Sequence, residues 1–360
     1  EEKKIYFGEF SLILNDVSFL ENSDDTNYLK IFEKIFGKKT KSQMPIELMA
    51  LVANDIGFEG ALDKNIPIGI LKSDGFYHPA MMTNKYGLMH FLSGNADVAS
   101  HTLALKEVVK ERFSNYPQDH ITIRYLDFFA PEYDNSSYIG GYRNNLDKRL
   151  EFYKPQTEAI FQAFQELNYQ GKISLMAPNV HSYEEVESIY TIFDSVRQKY
   201  ETKNSGFKVS LSSKIETIDA AKDIYKLAKK FDITFEFGDL AAAFYNLPRT
   251  DANAISAFEK EKGFNPFKTV DTEFVNYIRN LVKEAKSARK TCKMAFGGDQ
   301  LNYDYKLVKL AVEEGVDICI TPSNKFHAAA LFNINCAQLE IEQSQSASHG
   351  RGGTSGKKKY

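Results

Sequence analysis

The sequence predicts an α/β chain folded as a (β/α)8 barrel, the TIM-barrel architecture, with loop insertions. Three observations predict it. Short β-branched or aromatic runs alternate with longer segments of helical period, the signature of parallel βα units. Eight such runs are present, the number that closes a barrel. No Gly-rich dinucleotide turn follows any of them, which disfavours an open doubly wound sheet.

In chain order the strand runs are EFSLILN (9–15), IPIGILK (66–72), HITIRYLDF (120–128) and KISLMAP (172–178). FKVSLSSKIE (207–216), DITFEFG (232–238), CKMAFGG (292–298) and VDICITP (316–322) complete the set. Helical period is clearest at 183–200 and 272–290, and it recurs at 220–230 and 305–315. Ser182 and Glu185 form a capping-box pattern at the start of the 183–200 helix. Gly315 supplies a C-terminal stop for the 305–315 helix. Residues beyond the barrel minimum fall near 16–65, 73–119 and 240–271, so these are expected as insertions into a single domain over 1–340.

Composition narrows the class. The 360 residues carry 45 Lys+Arg against 48 Asp+Glu, with 43% hydrophobic residues, so a disordered or strongly basic chain is excluded. No apolar run is long enough to span a bilayer, and no secretory leader opens the chain. Cys292, Cys319 and Cys336 are odd in number and lack CxxC spacing, which argues against a disulfide framework or zinc site and favours the cytoplasm. The first residue is Glu rather than Met, so a fragment of a longer protein is expected. Residues 341–360 read as a disordered basic tail. Its net charge of +3 hides a body of −6 and offers a contact for an acidic protein partner.

Barrel active sites lie at the C-terminal ends of the strands. The polar residues expected there are Lys72, Asp127, Glu216, Asp239, Asp299, Asn324 and Lys325, with Arg124 inside strand 3 and Arg143 in the segment after it. Glu216 and Asp239 end consecutive strands, so their carboxylates can meet, and such a pair suits Mg²⁺ completed by water and substrate. Lys72, Arg124 and Arg143 are donors for phosphate or carboxylate. Together these features point to an anionic, metal-chelating substrate.

From about 60 to 335 the chain resembles the PEP/pyruvate-binding barrel of the PEP-utilising enzymes, the family of PTS enzyme I, pyruvate phosphate dikinase and PEP synthase. ISLMAPNVHSYEEVESI (173–189) is similar to its strand–loop–helix with a Met-Pro turn. KIETIDAA (214–221) is similar to its Val-Glu-Thr-Pro-Ala-Ala segment. FGDLAAAFYNLPRTD (237–251) resembles Gly-Thr-Asn-Asp-Leu followed by an Arg, here Arg249. IRYLDF (123–128) resembles an Arg-Thr-x-Asp strand, and IGGYRNNLDKRLEFYKPQTEAI (139–160) a Gly-x-Arg turn and helix. The resemblance implies a divergent (β/α)8 barrel of the PEP/pyruvate superfamily. It implies Mg²⁺ on Glu216 and Asp239, and PEP or an oxoacid on Arg124, Arg143 and Arg249. It also implies phosphoryl exchange with a phosphohistidine on a partner domain, and it admits a homodimer.

Departures from the family pattern leave retained catalysis undecided. Lys72 stands where the family has Arg and would share the catalytic role with Arg124. Gly238 replaces the Asn before the metal-binding Asp. The proton-donating Cys of strand 7 is missing from KMAFGGDQ (293–300), where Ala295 or Phe296 takes its place and Cys292 falls too early. Among the histidines, His78, His181 and His327 follow strand ends without a phosphohistidine motif. Two alternatives therefore stand beside a PEP-acting phosphotransferase. One is an enolate-forming oxoacid lyase or aldolase of the citrate-lyase type. The other is a catalytically degenerate barrel serving as a structural or interaction module, with FYHPAMMTNKYGLMHFL (76–92) as a contact surface.

Overall fold

In a computed structural model, eight parallel strands close into one barrel in the order β1 to β8. The structure describes residues 46–322, apart from 54, 64–65, 75–87, 117–118, 131–138 and 201–205, together with 330 and 333–341. The strands are β1 (Glu47–Val52), β2 (Ile68–Lys72), β3 (His120–Arg124), β4 (Lys172–Ala177), β5 (Lys208–Ile215), β6 (Asp232–Glu236), β7 (Met294–Gly297) and β8 (Ile318–Pro322). Closure comes from β1 pairing with both β2 and β8.

Seven of the eight strands occupy the runs the sequence marks. The first does not. β1 is ELMALV at 47–52, inside the stretch read as an insertion, and the expected 9–15 run lies outside the described residues. Glu, Leu, Met and Ala are good helix formers, so this run carries no strand signal of its own. Burial between β2 and β8 decides its state. The β3 ladder also stops earlier than the 120–128 run, at Arg124, because Asp127 turns the chain by accepting from the Phe129 amide.

Helices cover the outside of the barrel. Between β2 and β3 lie α2 (Leu88–Leu92) and α3 (Val98–Phe113), after a first helix α1 (Asp55–Asp63) between β1 and β2. The β3–β4 link carries α4 (Gly140–Arg143) and α5 (Leu146–Glu166), and the β4–β5 link carries α6 (Tyr183–Tyr200). The 220–230 segment is broken at Asp223 into α7 (Ile218–Lys222) and α8 (Ile224–Lys230). Between β6 and β7 stand α9 (Phe237–Phe244), α10 (Ala252–Lys262) and α11 (Thr272–Ala288). Of these, α10 buries no side chain, consistent with an addition to the barrel rather than a part of its wall. Then α12 (Gln300–Tyr303) and α13 (Tyr305–Glu313) precede β8.

The helix ends follow the expected chemistry. The Ser182 hydroxyl accepts from the Glu185 amide at 3.2 Å, and the Glu185 carboxylate reaches back to the His181 amide at 2.9 Å. Past α13, Gly315 has φ +60, and Val316 N–H bonds to Ala311 while Gly315 N–H bonds to Val312. That is a Schellman stop, in which glycine carries the left-handed turn without a Cβ clash. In α11 the buried Phe274, Val275, Ile278, Leu281, Val282 and Ala285 form the stripe that its period dictates.

Inside the barrel, Ile70, Met176, Ala295 and Ile320 pack as a small core. Hydroxyl residues share this interior, with Ser174 donating to Ser212 at 3.3 Å. A cavity of ≈ 730 Å³ opens at the N-terminal ends of the strands, lined by residues such as Glu47, His120, Lys172 and Lys293. It lies at the opposite end from the charged strand termini described next.

Candidate functional site

Side chains alternate across each strand, so every second residue points into the barrel. On β2, β3, β5 and β6 this alternation ends in charge. Lys72 and Arg124 are register partners at the ends of β2 and β3. Lys214 and Glu216 close β5 two residues apart and hence on one face. Glu236 closes β6, and Asp239 follows in the first turn of α9. The mouth is therefore a ring of charged side chains above a layer of apolar and hydroxyl residues.

Arg124 is 3% exposed, so its guanidinium depends on partners. Its Nη2 donates to Asp74 at 2.5 Å and its Nη1 to Asp127 at 3.1 Å. Burial alone would weaken its protonation, but Asp74, Asp127 and Glu216 more than offset this and hold it firmly cationic. For Lys72, burial lowers the pKa first, and Arg124 and Lys214 lower it further. Lys72 thus faces local positive charge that an anion would relieve, whereas Arg124 is already balanced by its carboxylates.

Lys214 is one of three residues of the mouth that the sequence did not single out. It is 2% exposed and donates to Glu216 Oε1 at 2.5 Å, with Glu236 Oε2 at 3.3 Å. The other oxygen of Glu216 accepts from the Asn179 amide at 2.7 Å. Asn179 holds φ 48, a left-handed conformation that Asn tolerates, and this turns its N–H toward the carboxylate. The available signal was Lys two residues before Glu at the end of a buried strand. Spacing placed both on one face but gave no reason to join them. Asp74 and Glu236 were missed for the same reason.

Glu216 and Asp239 do meet. The two carboxylates are close enough to act on one another's protonation. Burial raises the Glu216 pKa to about 7, with Asp127 and Asp239 adding to the rise and Lys214 and Arg124 opposing it. For Asp239 burial also acts upward, but Arg249 and Lys214 prevail and its pKa is lowered. Arg249 donates to Asp239 at 2.9 Å from the rim, where both side chains are about two-fifths exposed, 40% and 42%. Asp299, after β7, lies within the field of Glu236, Arg249 and Lys72.

The expected site residues thus divide. Glu216, Asp239, Arg124, Lys72 and Arg249 surround one mouth through the contacts and fields above. Arg143 is engaged elsewhere: its Nε donates to the Phe128 carbonyl at 2.6 Å and its Nη2 to the Ala130 carbonyl at 3.2 Å. It holds the loop after β3 instead of facing the carboxylate pair. Cys292 precedes β7, and its Sγ lies on the Phe231 carbonyl at the N-terminal side of the barrel. His181 lies after β4, whereas His78, His327, Asn324 and Lys325 lie outside the described residues.

Two neighbouring carboxylates fit a divalent cation, which would relieve their repulsion. Among the described residues no third His, Cys, Asp or Glu joins them as a ready cluster. Water and substrate oxygens would complete such a shell.

The PEP-utilising enzyme, PEP-binding domain family matches residues 119–329, more than half of the chain. A pyruvate, phosphate dikinase of Rickettsia bellii (strain RML369-C) is 32% identical over 167 residues, which cover 42% of this chain and 19% of that protein. The match thus spans about a fifth of that relative. Among solved structures, a citrate lyase of Burkholderia xenovorans LB400 aligns with TM-score 0.42 and 13% identity over 86% of this chain and 87% of that one. An HpcH/HpaI aldolase/citrate lyase family protein of Burkholderia cenocepacia J2315 aligns with TM-score 0.40 and 8% identity over 90% and 99%. The chain belongs to the family of the PEP-utilising enzyme PEP-binding domain.

Proposed function

We propose that the mouth binds PEP or a pyruvate-like oxoacid together with Mg²⁺, and exchanges a phosphoryl group with a phosphohistidine on a partner domain. One observation carries the reading. The neighbouring carboxylates of Glu216 and Asp239 stand among Lys72, Arg124 and Arg249 at the C-terminal end of the barrel. Family membership and the dikinase relative support it.

Glu216 and Asp239 would hold the metal. When bound, it would polarise substrate oxygens and stabilise an enolate. The chain's own residues have separate tasks. Arg124, fixed between Asp74 and Asp127, presents a guanidinium of set orientation to carboxylate or phosphate. Lys72 adds a point charge. Arg249, on the rim, would close over the anion once it leaves Asp239. Arg143 would act on substrate only after releasing its loop carbonyls. Below them Ile70, Met176, Ala295 and Ile320 form an apolar layer, shared with the hydroxyls of Ser174 and Ser212.

A second reading is favoured at β7. Ala295 packs in the barrel interior and Cys292 lies at the far end, so neither can protonate an enolate at the mouth. Under that reading the site forms an enolate for a lyase reaction, or binds without turnover.

Calorimetry with PEP, pyruvate and oxalate, with and without Mg²⁺, tests the first reading. Binding that needs the metal and is lost in Glu216→Gln and Asp239→Asn is expected. Absence of binding by all three ligands would overturn it. Cleavage of short 2-oxo-4-hydroxy acids would favour the lyase. The phosphotransfer reading also places the chain in the cytoplasm, as a homodimer, with the 341–360 tail contacting an acidic protein. Among the described residues no helix is long and apolar enough to cross a membrane.

A further inference from the structure

Glu216 is already occupied on both oxygens. Lys214 Nζ takes Oε1 at 2.5 Å, and the Asn179 amide takes Oε2 at 2.7 Å. The Lys214 ammonium also lies 3.3 Å from Glu236 Oε2. It is almost fully buried, at 2% exposure, and its position on the strand fixes it there. It is thus a resident cation that bridges the carboxylates of β5 and β6, next to the pair assigned to metal.

We infer that Lys214 acts as a built-in counter-cation that competes with the divalent metal for Glu216, so that the metal enters only by displacing its ammonium. The inference rests on the metal-binding role of Glu216 and Asp239. Its physical basis is simple. An ammonium and a divalent cation repel, and both are drawn to the Glu216 carboxylate, whose Oε1 the ammonium already holds and whose Oε2 the Asn179 amide holds. With Lys214 in place, Glu216 is neutralised before metal arrives, and an incoming cation must break a buried ion pair first. Lys214 is a positioning residue in this scheme and does not touch the substrate. Glu236 receives the ammonium when Glu216 lets it go.

Mn²⁺ alone is the probe, followed by calorimetry and by the electron paramagnetic resonance of free ion. Lys214→Met removes the charge and keeps the chain length. It is expected to tighten Mn²⁺ binding by at least about tenfold over wild type. Asp239→Asn in either background is expected to abolish that binding. If Lys214→Met binds Mn²⁺ as wild type does, or more weakly, the competition is overturned. If Lys214→Met tightens binding but Asp239→Asn leaves it intact, the metal lies elsewhere, and the metal-site reading and the competition fall together. If neither wild type nor Lys214→Met binds Mn²⁺ while PEP still binds, the metal reading falls, the competition falls with it and the oxoacid reading survives.

Burying two carboxylates without their lysine threatens folding, so thermal unfolding is read alongside, with Lys214→Gln as a second variant. A larger rise in Tm with Mn²⁺ in the variants than in wild type supports the inference, because the metal then replaces the lost cation. Variants that stay unfolded with or without Mn²⁺ overturn it, because the ammonium then does what no cation can.

Discussion

Gly238 and Arg249 are fitted to one another. A Cβ on residue 238 would stand 2.6 Å from the Arg249 guanidinium carbon and 2.7 Å from its Nη1. The missing side chain lets the guanidinium lie against the first turn of α9 and reach Asp239. This gives a role to the glycine that stands where the family pattern has Asn.

Gly238→Ala is therefore expected to displace Arg249 and weaken binding of PEP or oxalate by about tenfold. Stability should change by less than about 1 kcal/mol, because the Arg249–Asp239 pair is a rim contact screened by solvent. Calorimetry and urea unfolding on the same variant separate the two effects. Unchanged affinity would show that Arg249 is not a substrate ligand.

Arg124 behaves differently because it is buried between two carboxylates. Arg124→Met leaves Asp74 and Asp127 without their shared cation, and should cost about 3–5 kcal/mol. Arg124→Lys keeps the charge but loses the two-armed reach, so an intermediate loss is expected together with loss of oxoacid binding. Urea unfolding of both variants decides it. A loss in Arg124→Met smaller than that in Arg124→Lys would contradict this account.

Glu216 links the site to pH. Burial, then Asp127 and Asp239, raise its pKa to about 7 in the folded state. The unfolded chain releases that proton near pH 4.3, the ordinary value for Glu. The folded state thus holds an extra proton between the two values, and stability falls as pH rises through that window. Below it the contribution is fully present; above about 7 the loss is complete. Wild type should lose about 3 kcal/mol between pH 4.5 and 8 relative to Glu216→Gln. Parallel stability curves for the two proteins would rule the titration out. Asp239, whose pKa is lowered, acts in the opposite sense and loses its contribution as pH falls.

The position of β1 is open to test through Gly69. A Cβ there would come 2.7 Å from Met49 Cβ and 3.2 Å from Ile320 Cγ1. Met49 Cβ cannot move without its backbone, so Gly69→Ala should destabilise by about 1–3 kcal/mol. Met49→Ala would not relieve the clash, because the Cβ remains. A neutral Gly69→Ala would mean that 47–52 does not pack beside β2.

Much of the molecule was legible because its signals are local. Strand–helix alternation needs only the period of the apolar residues, and it located β2 to β8. The end of a strand is marked by a charged residue after an apolar run, which located Lys72 and Glu216; Arg124 falls inside a longer predicted strand, and Asp239 stands three residues past the end of β6, in α9. The Schellman stop at Gly315 and the cap at Ser182 are likewise written in a few adjacent residues. The 47–52 strand was not legible because its residues favour helix as readily as strand, and only its neighbours choose between them.

By itself the sequence determined the barrel, the family and the two carboxylates at its mouth, because periodicity and motif order survive without coordinates. Tertiary structure alone decided which charges are joined. It set Lys214 on Glu216, sent Arg143 to loop carbonyls, and left Cys292 at the wrong end of β7. The reason is geometric. Alternation along a strand fixes the face a side chain leaves from, but a lysine or arginine reaches several ångströms beyond it, and what it meets belongs to another strand.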